Sequence, residues 1–287
     1  MYPSKFIYQA PSSMEEALSL LQQYGDEAKI LAGGQSLVPM LKLRFATPGV
    51  LVDINRVPGL GYHRRESDGG MRVGALCRHR DLERSAVLAE HQPTMHAAAQ
   101  VIADPIVRNR GTLVGSLCHA DPQGDWAAIG VACGATIVAT SSRGEREIPL
   151  NEFVVGPFEN ALELDEIATE ARFPTARGTC GGYLKLERRI GDFATAGVAL
   201  SMEASGGRVS RAGIALTGVG PRTIECVAAQ DYLRNKALDD AVIEEAARLA
   251  ADAAQPRSDH RGSADYKRHV VATFLTRLLG RELALAA

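Results

Sequence analysis

The pattern of apolar and polar residues along this chain changes period many times, which predicts many short helices and strands. In the first two thirds, helical periods of three to four residues alternate with short apolar runs of strand type. Helices are predicted at 14–21, from 36 onward and at 80–103 with a break near Pro93, and strands at 28–32, 51–54, 71–75, 135–140 and 167–173. The longest apolar run, residues 126–139, predicts a buried helix that leads into a strand, because glycines interrupt it.

The pattern changes after a small, polar segment at 175–179, which directly follows Pro174 and is the best candidate for a domain boundary. Beyond it, strands are predicted at 182–188, 197–204 and 208–217, and helices at 228–233, 240–254 and 266–285. Gly206 and Gly207 predict a hairpin turn between the last two strands. We therefore predict two domains, residues 1–177 and 178–287, of which the second is α+β because its strands precede its helices.

The composition is that of an ordinary globular protein, and it removes several functional classes. Hydrophobic residues make up 46% of the 287 residues and charged residues 23%, unlike a disordered chain. The net charge of −2 argues against nucleic-acid binding, which usually brings a basic excess. No apolar run is long enough to span a bilayer, and the N-terminal residues lack the apolar core of a signal peptide. We expect a cytoplasmic protein with no membrane span.

The cysteines do not form a metal or disulfide pattern. They are odd in number, far apart and without a C-x-x-C pair, at positions Cys77, Cys118, Cys133, Cys180 and Cys226. This spacing argues against a disulfide framework and against a zinc or iron–sulfur site carried by this chain alone. We expect free thiols, most of them buried, and no metal ligands.

The first segment that could carry chemistry is residues 30–37, in which a predicted strand enters Gly33 and Gly34. Two adjacent glycines can turn their backbone N–H groups toward one point, because they reach positive φ without strain. Such a turn, or a helix that begins at Ser36, suits a phosphate oxygen. A tight strand-to-helix turn with a serine cap explains the same residues equally well.

The second segment is residues 107–125, which is dense in glycine and hydroxyl side chains. Its backbone donors, together with Thr112 and Ser116, could hold a second phosphate, and Asp125 could accept a hydrogen bond from a ribose or ribityl hydroxyl. Alternatively, these side chains only satisfy the loop, and Asp125 caps the helix that begins at Trp126. His119 is better explained as a structural histidine than as a base, since the sequence gives it no fixed partner.

A third segment, residues 183–194, carries the basic side chains of Lys185, Arg188 and Arg189. They could face an anionic cofactor, or they could form a solvated strand edge that discourages aggregation. Residues 217–221 lack the third glycine of a dinucleotide fingerprint. Residue types and spacing are therefore compatible with phosphate binding but do not distinguish FAD from another nucleotide.

The order of the motifs resembles that of the FAD-binding medium subunit of molybdenum hydroxylases, the carbon monoxide dehydrogenase and xanthine dehydrogenase family. Residues 32–36, AGGQS, are similar to the A-G-G-H/Q-S motif of that family, and residues 112–116, TLVGS, are similar to T-I/L-G-G-N/S. The expected H-A-D-P-x-x-D follows at 119–125. Further matching blocks lie at 51–55, 73–75, 104–111 and 259–266, so the resemblance covers nearly the whole chain.

The resemblance implies a fold and a set of cofactor contacts. The first domain would be an FAD-binding domain of the vanillyl-alcohol oxidase type, with two α/β subdomains and the cofactor between them. The second would be a smaller domain with a three-stranded antiparallel sheet and helices. The resemblance implies no catalytic residue and no metal ligand in this chain. It implies contacts with FAD at Ala32, Gly33, Gly34, Gln35, Ser36, Leu37, Ile102, Val107, Gly111, Thr112, Val114, Gly115, Ser116, Cys118, Asp125, Ile167 and Lys185.

Two positions depart from the family pattern. Val114 stands where the second motif usually has its first glycine, and valine does not take positive φ cheaply, so this position has ordinary backbone geometry or the loop differs locally. Gln35 stands where the carbon monoxide enzymes have histidine. Glutamine is usual in relatives that act on organic substrates, which favours an aromatic heterocycle or an aldehyde as the substrate of the complex.

The function that the resemblance implies is electron transfer within an oxidoreductase complex. A large molybdenum-cofactor subunit would oxidise the substrate, a small 2Fe–2S subunit would conduct the electrons, and this chain would deliver them through FAD to an external acceptor. The assembly would be a heterohexamer, a dimer of heterotrimers. Two alternatives stay open: a stand-alone flavin-dependent oxidase or reductase, and a non-catalytic nucleotide-binding subunit.

Overall fold

In the computed structural model, the chain is described from residue 2 to residue 175 and from residue 179 to residue 286. The predicted boundary between residues 177 and 178 lies outside the described residues and stays a prediction. Within the described ranges, no helix combines the length and the apolar character that crossing a bilayer requires.

The described chain contains short helices and strands in frequent alternation. The strands are β1 Ile7–Gln9, β2 Ala28–Leu31, β3 Val50–Asp53, β4 His63–Arg65, β5 Met71–Gly74, β6 Thr136–Ser141, β7 Gly144–Pro149, β8 Val154–Gly156, β9 Glu159–Asn160, β10 Ile167–Phe173, β11 Thr179–Leu186, β12 Ala196–Ser205, β13 Arg208–Thr217 and β14 Ile224–Glu225. The helices are α1 Met14–Tyr24, α2 Leu37–Leu43, α3 His79–Glu83, α4 Ala86–His91, α5 Pro93–Val101, α6 Pro105–Arg108, α7 Leu113–His119, α8 Asp125–Cys133, α9 Leu150–Phe153, α10 Val227–Leu233, α11 Asp240–Ala253 and α12 Ala264–Ala286.

The first subdomain is a parallel three-stranded sheet in the order β1-β3-β2. Helix α1 begins as predicted, because the Ser13 side chain accepts a hydrogen bond from the backbone N–H of Glu16. The strands β2 and β3 end side by side, with Leu31 paired to Asp53. Their following loops therefore leave the sheet at the same edge, where the Asn55 amide donates to the Ala32 carbonyl at 2.8 Å.

The second subdomain is an antiparallel five-stranded sheet in the order β4-β5-β10-β6-β7. Helix α7 packs on its central strands β5 and β10. The predicted buried helix is α8, all of whose residues are buried, and it leads into β6 through Gly134 in the left-handed conformation. In the segment predicted as helical at 80–103, the break near Pro93 is confirmed, because α5 begins there. The part before Pro93 is two helices and not one, since the Ser85 hydroxyl accepts from the Leu88 N–H and caps α4.

The C-terminal part contributes an antiparallel sheet in the order β11-β12-β13-β14, with the predicted turn at Gly206 and Gly207. The three predicted strands are confirmed, and the two-residue β14 adds a fourth strand at the edge. One face of the sheet packs on α10 and α12, and the other packs on α5 and α8 of the N-terminal part. Helix α8 approaches β13 so closely that a Cβ atom on Gly213 would overlap the Ala132 carbonyl oxygen. The α+β class, with two N-terminal subdomains and a smaller C-terminal domain, is confirmed.

Candidate functional site

A cleft of about 520 Å³ runs between the two N-terminal subdomains. Its walls come from the loop after β2, the start of α7, the hairpin of β8 and β9, and the segment 191–193 that follows β11. All three parts of the fold therefore contribute to one site. Of the residues singled out in the sequence, the following line this cleft: Ala32, Gly33, Gly34, Gln35, Ser36, Leu37, Ile102, Val107, Gly111, Thr112, Val114, Gly115, Ser116, Cys118, Asp125 and Ile167.

The loop at residues 32–36 is a turn between β2 and α2 with open backbone donors. Gly34 has φ +74°, which is the left-handed conformation that favours glycine. Among the described residues, the N–H groups of residues 33–37 meet no hydrogen-bond acceptor. The alternative explanation as a serine-capped turn is not observed, because the Ser36 hydroxyl makes no capping bond to α2. The turn therefore presents unpaired donors to the cleft.

The loop at residues 111–116 has different local physics, because it is an ordinary helix start. The Thr112 hydroxyl caps α7 by accepting from the Gly115 N–H at 3.1 Å, which leaves no room for a Cβ atom on Gly115. Val114 lies inside α7, is buried, and needs no positive φ, so valine replaces the family glycine without strain. In the described part of the chain, the N–H groups of Leu113 and Val114 have no acceptor.

The two loops touch each other, and Gly33 is the point of contact. A Cβ atom on Gly33 would overlap the Arg110 carbonyl oxygen and lie 2.8 Å from the Gly111 Cα atom. Arg78 braces the contact, since its guanidinium donates to the Arg110 carbonyl and, at 2.6 Å, to the Asn55 side-chain oxygen. The free backbone donors of both loops are therefore held near one another by packed main chain.

Asp125 lies at the floor of the cleft in a buried polar network. It is the first residue of α8, makes no capping bond, and accepts a hydrogen bond from the Tyr183 hydroxyl. Burial raises the pKa of the Asp125 carboxyl, and the nearby Lys185 ammonium and Tyr183 hydroxyl oppose that rise. The suggestion that Asp125 caps α8 is wrong. Its carboxylate is instead held in the cleft by the Tyr183 hydroxyl and the Lys185 ammonium.

Lys185 is the predicted contact residue that does not line the cleft. Its side chain is only 1% exposed, with Nζ 3.4 Å from the Asp125 carboxylate and 3.2 Å from that of Glu187. The ammonium also donates to the carbonyl oxygens of Val101 and Asp192. Its charge is paired inside the protein with the carboxylates of Asp125 and Glu187, of which that of Asp125 lines the cleft. The solvated-edge alternative is wrong for this buried side chain, and its contact with FAD stays a prediction.

Several lining residues escaped the sequence reasoning. Phe158, at the tip of the β8–β9 hairpin, has φ +60° and places its ring 5.1 Å from that of His119. Phe193 lies between β11 and β12, His79 is the first residue of α3, and both line the cleft. The unusual φ of Phe158 leaves no signal in the sequence. Phe193 lay inside the third segment, which was considered only for its charges.

Burial shifts the pKa of several ionisable groups in the cleft in the direction that favours the neutral form. Burial lowers the pKa of His79 to about 4, with Arg108 and Arg78 adding to the effect, so its imidazole is neutral near pH 7. Burial also lowers the pKa of His119. The thiols are free, and burial raises the pKa of Cys118, in the cleft wall, to about 12, so it is not an activated nucleophile.

Comparison with family models matches nearly the whole chain. Residues 4–176 match the FAD binding domain in molybdopterin dehydrogenase, and residues 182–281 match the CO dehydrogenase flavoprotein C-terminal domain.

Individual relatives are similar over their full length. The chain is 42% identical to the carbon monoxide dehydrogenase medium chain of Hydrogenophaga pseudoflava, covering 100% of both chains. It is 40% identical to the 6-hydroxypseudooxynicotine dehydrogenase complex subunit alpha of Paenarthrobacter nicotinovorans, covering 99% of this chain and 96% of that one. Among solved structures, a chain of the Hydrogenophaga pseudoflava carbon monoxide dehydrogenase lacking the Mo-pyranopterin moiety superposes with a TM-score of 0.93 at 43% identity, covering 98% of each chain.

Proposed function

Because this chain belongs to the family of FAD-binding subunits of molybdopterin dehydrogenases, we propose that it is the electron-transfer subunit of a molybdenum hydroxylase complex. It is an oxidoreductase component whose cofactor is FAD. In the proposal, it receives electrons from the iron–sulfur clusters of a partner subunit and delivers them to an external acceptor.

The observation that supports this proposal most strongly is the contact between the two glycine-containing loops. Their unpaired N–H groups, at residues 33–37 and at Leu113 and Val114, offer a pyrophosphate hydrogen-bond donors from two sides. The glycines allow this close packing, since side chains at Gly33 or Gly111 would strike the opposite loop or the His79 ring. The residues therefore fit an anionic dinucleotide such as FAD.

The remaining lining residues have roles that follow from their chemistry. Asp125 offers a carboxylate oxygen to a cofactor hydroxyl, and Tyr183 and Lys185 hold that carboxylate in place. Ile102, Val107 and Ile167 provide apolar surface for a ring system. When bound, FAD supplies a redox centre that exchanges one or two electrons. The chain's own residues bind and orient it.

We assign the substrate chemistry to partner subunits: a large subunit with the molybdenum cofactor and a small 2Fe–2S subunit, in a heterohexamer. Support comes from the relatives, which are named as a medium chain or as a subunit of a complex. Support also comes from the five scattered cysteines of this chain, which do not have the spacing of iron–sulfur ligands. We also propose that the substrate of the complex is organic, which Gln35 favours. We further propose a cytoplasmic location, which the free thiols favour.

The experiment is to purify the chain alone and together with the proposed large and small subunits. The isolated chain is expected to be yellow, to release FAD and not FMN on denaturation, and to leave organic substrates unreacted. The reconstituted complex is expected to bleach the flavin absorbance when substrate is added. If the isolated chain oxidised a small organic substrate at about ten turnovers per second, an ordinary enzymatic rate, it would be a stand-alone oxidase and the subunit proposal would fail.

A further inference from the structure

His79 is held in the cleft wall by contacts of its backbone and of its imidazole ring. Its backbone N–H donates to the Gly111 carbonyl at 3.0 Å, next to the bridge between Arg78 and Thr112. The side chain is 5% exposed and stacks on Trp126, with ring centroids 6.0 Å apart. His79 is thus held rigidly at the start of the second loop and has an edge in the cleft.

The hydrogen bond with Trp126 determines which ring nitrogen of His79 carries the proton. The indole Nε1–H of Trp126 is only a donor, and it lies 3.1 Å from His79 Nδ1. Nδ1 must therefore be the acceptor, and a neutral imidazole then carries its hydrogen on Nε2. The direction of the His79 pKa shift agrees with a neutral ring.

The Nε2–H group of His79 has no acceptor within residues 2–175 and 179–286. The edge that carries it faces Gly111, where a Cβ atom would lie 2.9 Å from Nε2 and 2.8 Å from Cδ2. Gly111 in turn packs against Gly33 of the first loop. This N–H group is unpaired by the described residues and is not among their fully buried unpaired atoms, so a ligand or water in the cleft can supply the acceptor.

We propose that His79 is a cofactor-binding residue that donates its Nε2 hydrogen to a pyrophosphate oxygen of FAD. The pyrophosphate is the part of FAD that matches this position, because the unpaired backbone donors of both loops lie around the Gly33–Gly111 contact. Trp126 acts through His79 as a positioning residue, because it selects the tautomer that can donate. The proposal rests on the proposed FAD site and adds a side-chain donor to it.

Two amide substitutions separate this role from a merely structural one. His79→Asn keeps an acceptor near the position of Nδ1 for Trp126 but removes the donor at Nε2. His79→Gln keeps a donor near Nε2 but leaves the indole N–H unpaired. A ligand role and a structural role therefore rank these two variants in opposite order.

The measurements are the Kd of FAD and of ADP for the cofactor-stripped full-length chain, and the unfolding midpoint of that stripped chain. We expect His79→Asn to weaken both FAD and ADP by at least about tenfold, the effect of losing one hydrogen bond to a charged group, while His79→Gln binds more tightly than His79→Asn. Without cofactor, His79→Gln is expected to unfold at a lower temperature than His79→Asn. The assignment is overturned if His79→Gln, the less stable variant, also binds FAD more weakly than His79→Asn. It is also overturned if His79→Asn binds ADP as tightly as the wild type.

A spectroscopic test does not depend on whether the variants fold. In the wild-type chain labelled with 15N-histidine, the His79 ring should show a protonated Nε2 and an unprotonated Nδ1, and the Nε2–H signal should shift when FAD or ADP is added. A proton on Nδ1, or an Nε2–H signal that ignores the ligand, contradicts the proposal. Failure of the wild-type chain to bind FAD would instead contradict the proposed function itself.

Discussion

The two loops both contain glycines, but they use glycine for different physical reasons. In the first loop, Gly34 is needed for its backbone conformation, φ +74°, and Gly33 for its contact with the opposite loop. In the second, Gly115 is helical and only makes room for the Thr112 cap, and the neighbouring position accepts Val114. A glycine in such a motif therefore indicates either limited room for a side chain or a backbone conformation that other residues avoid, and the reason differs from one glycine to the next.

The largest effect is expected from Gly33→Val, which attacks the contact between the loops. The new side chain would strike the Arg110 backbone, which cannot move aside as a flexible side chain can. We expect loss of FAD retention and destabilisation by about 3 kcal/mol, the upper range for overpacking. The flavin absorbance of the purified variant and its urea unfolding midpoint measure both effects. If this variant retained stoichiometric FAD, the contact between the two loops would not be required for binding the cofactor.

Acid should weaken the second loop more than the first, because His79 is attached only to the second. With a folded pKa of about 4 against the ordinary 6.5, His79 stays neutral in the folded chain while the unfolded chain takes up a proton. Stability is therefore fully present above about pH 6.5 and is lost between 6.5 and 4, by at most about 3 kcal/mol.

The measurement for this acid effect is the unfolding free energy of the cofactor-stripped chain as a function of pH. His79→Gln should flatten the curve over this window, whereas Lys29→Gln, beside the first loop, should not. Parallel curves for the wild type and His79→Gln would contradict the assignment.

Gly34→Ala tests the conformational requirement of the first loop. The left-handed conformation costs an alanine about 1–2 kcal/mol, and the added Cβ meets only the side chains of Leu31 and Val38. The chain should fold, but its FAD affinity should drop by about tenfold if the strain is relieved by moving the backbone donors. Titration of the stripped chain with FAD measures this, and unchanged affinity would show that the φ of Gly34 is not needed for binding.

The smallest effect on binding is expected from Val114→Gly, which restores the family glycine. Because Val114 is helical, the change should leave the FAD Kd within about twofold while lowering stability by about 1 kcal/mol or more, from the helix propensity of glycine and the lost burial. A clear gain in FAD affinity would mean that the second loop needs positive φ after all.

Much of the fold followed from the periodicity of the sequence, because most strands and helices are bounded by recognisable turn residues. Strands β10 and β13 have the predicted ends. At 80–103 the break near Pro93 was predicted, but the break at Ser85 was missed, because the helical pattern continues past this serine, whose hydroxyl caps α4. Hairpin strand β7 was missed, since it is an exposed polar edge without alternation.

The residues of the candidate site were predictable where they directly follow a strand. They were not predictable where they reach the cleft through contacts between residues distant in sequence. Residues 32–37 follow β2 directly, and they line the cleft. His79 reaches it only because α3 packs against the loop at Gly111, a contact between residues distant in sequence. The surroundings of Lys185 were likewise not predictable, because strand register places its ammonium against the carboxylates of Glu187 and of Asp125, which is distant in sequence.

A crystal structure of this chain with FAD bound tests the proposed site most directly. We predict pyrophosphate oxygens at about 3 Å, hydrogen-bond distance, from backbone nitrogens within residues 33–37 and from those of Leu113 or Val114. A pyrophosphate that contacts only one of the two loops, or that lies beside Lys42 and Asp53 in the neighbouring pocket that residues 32–35 also line, would contradict it.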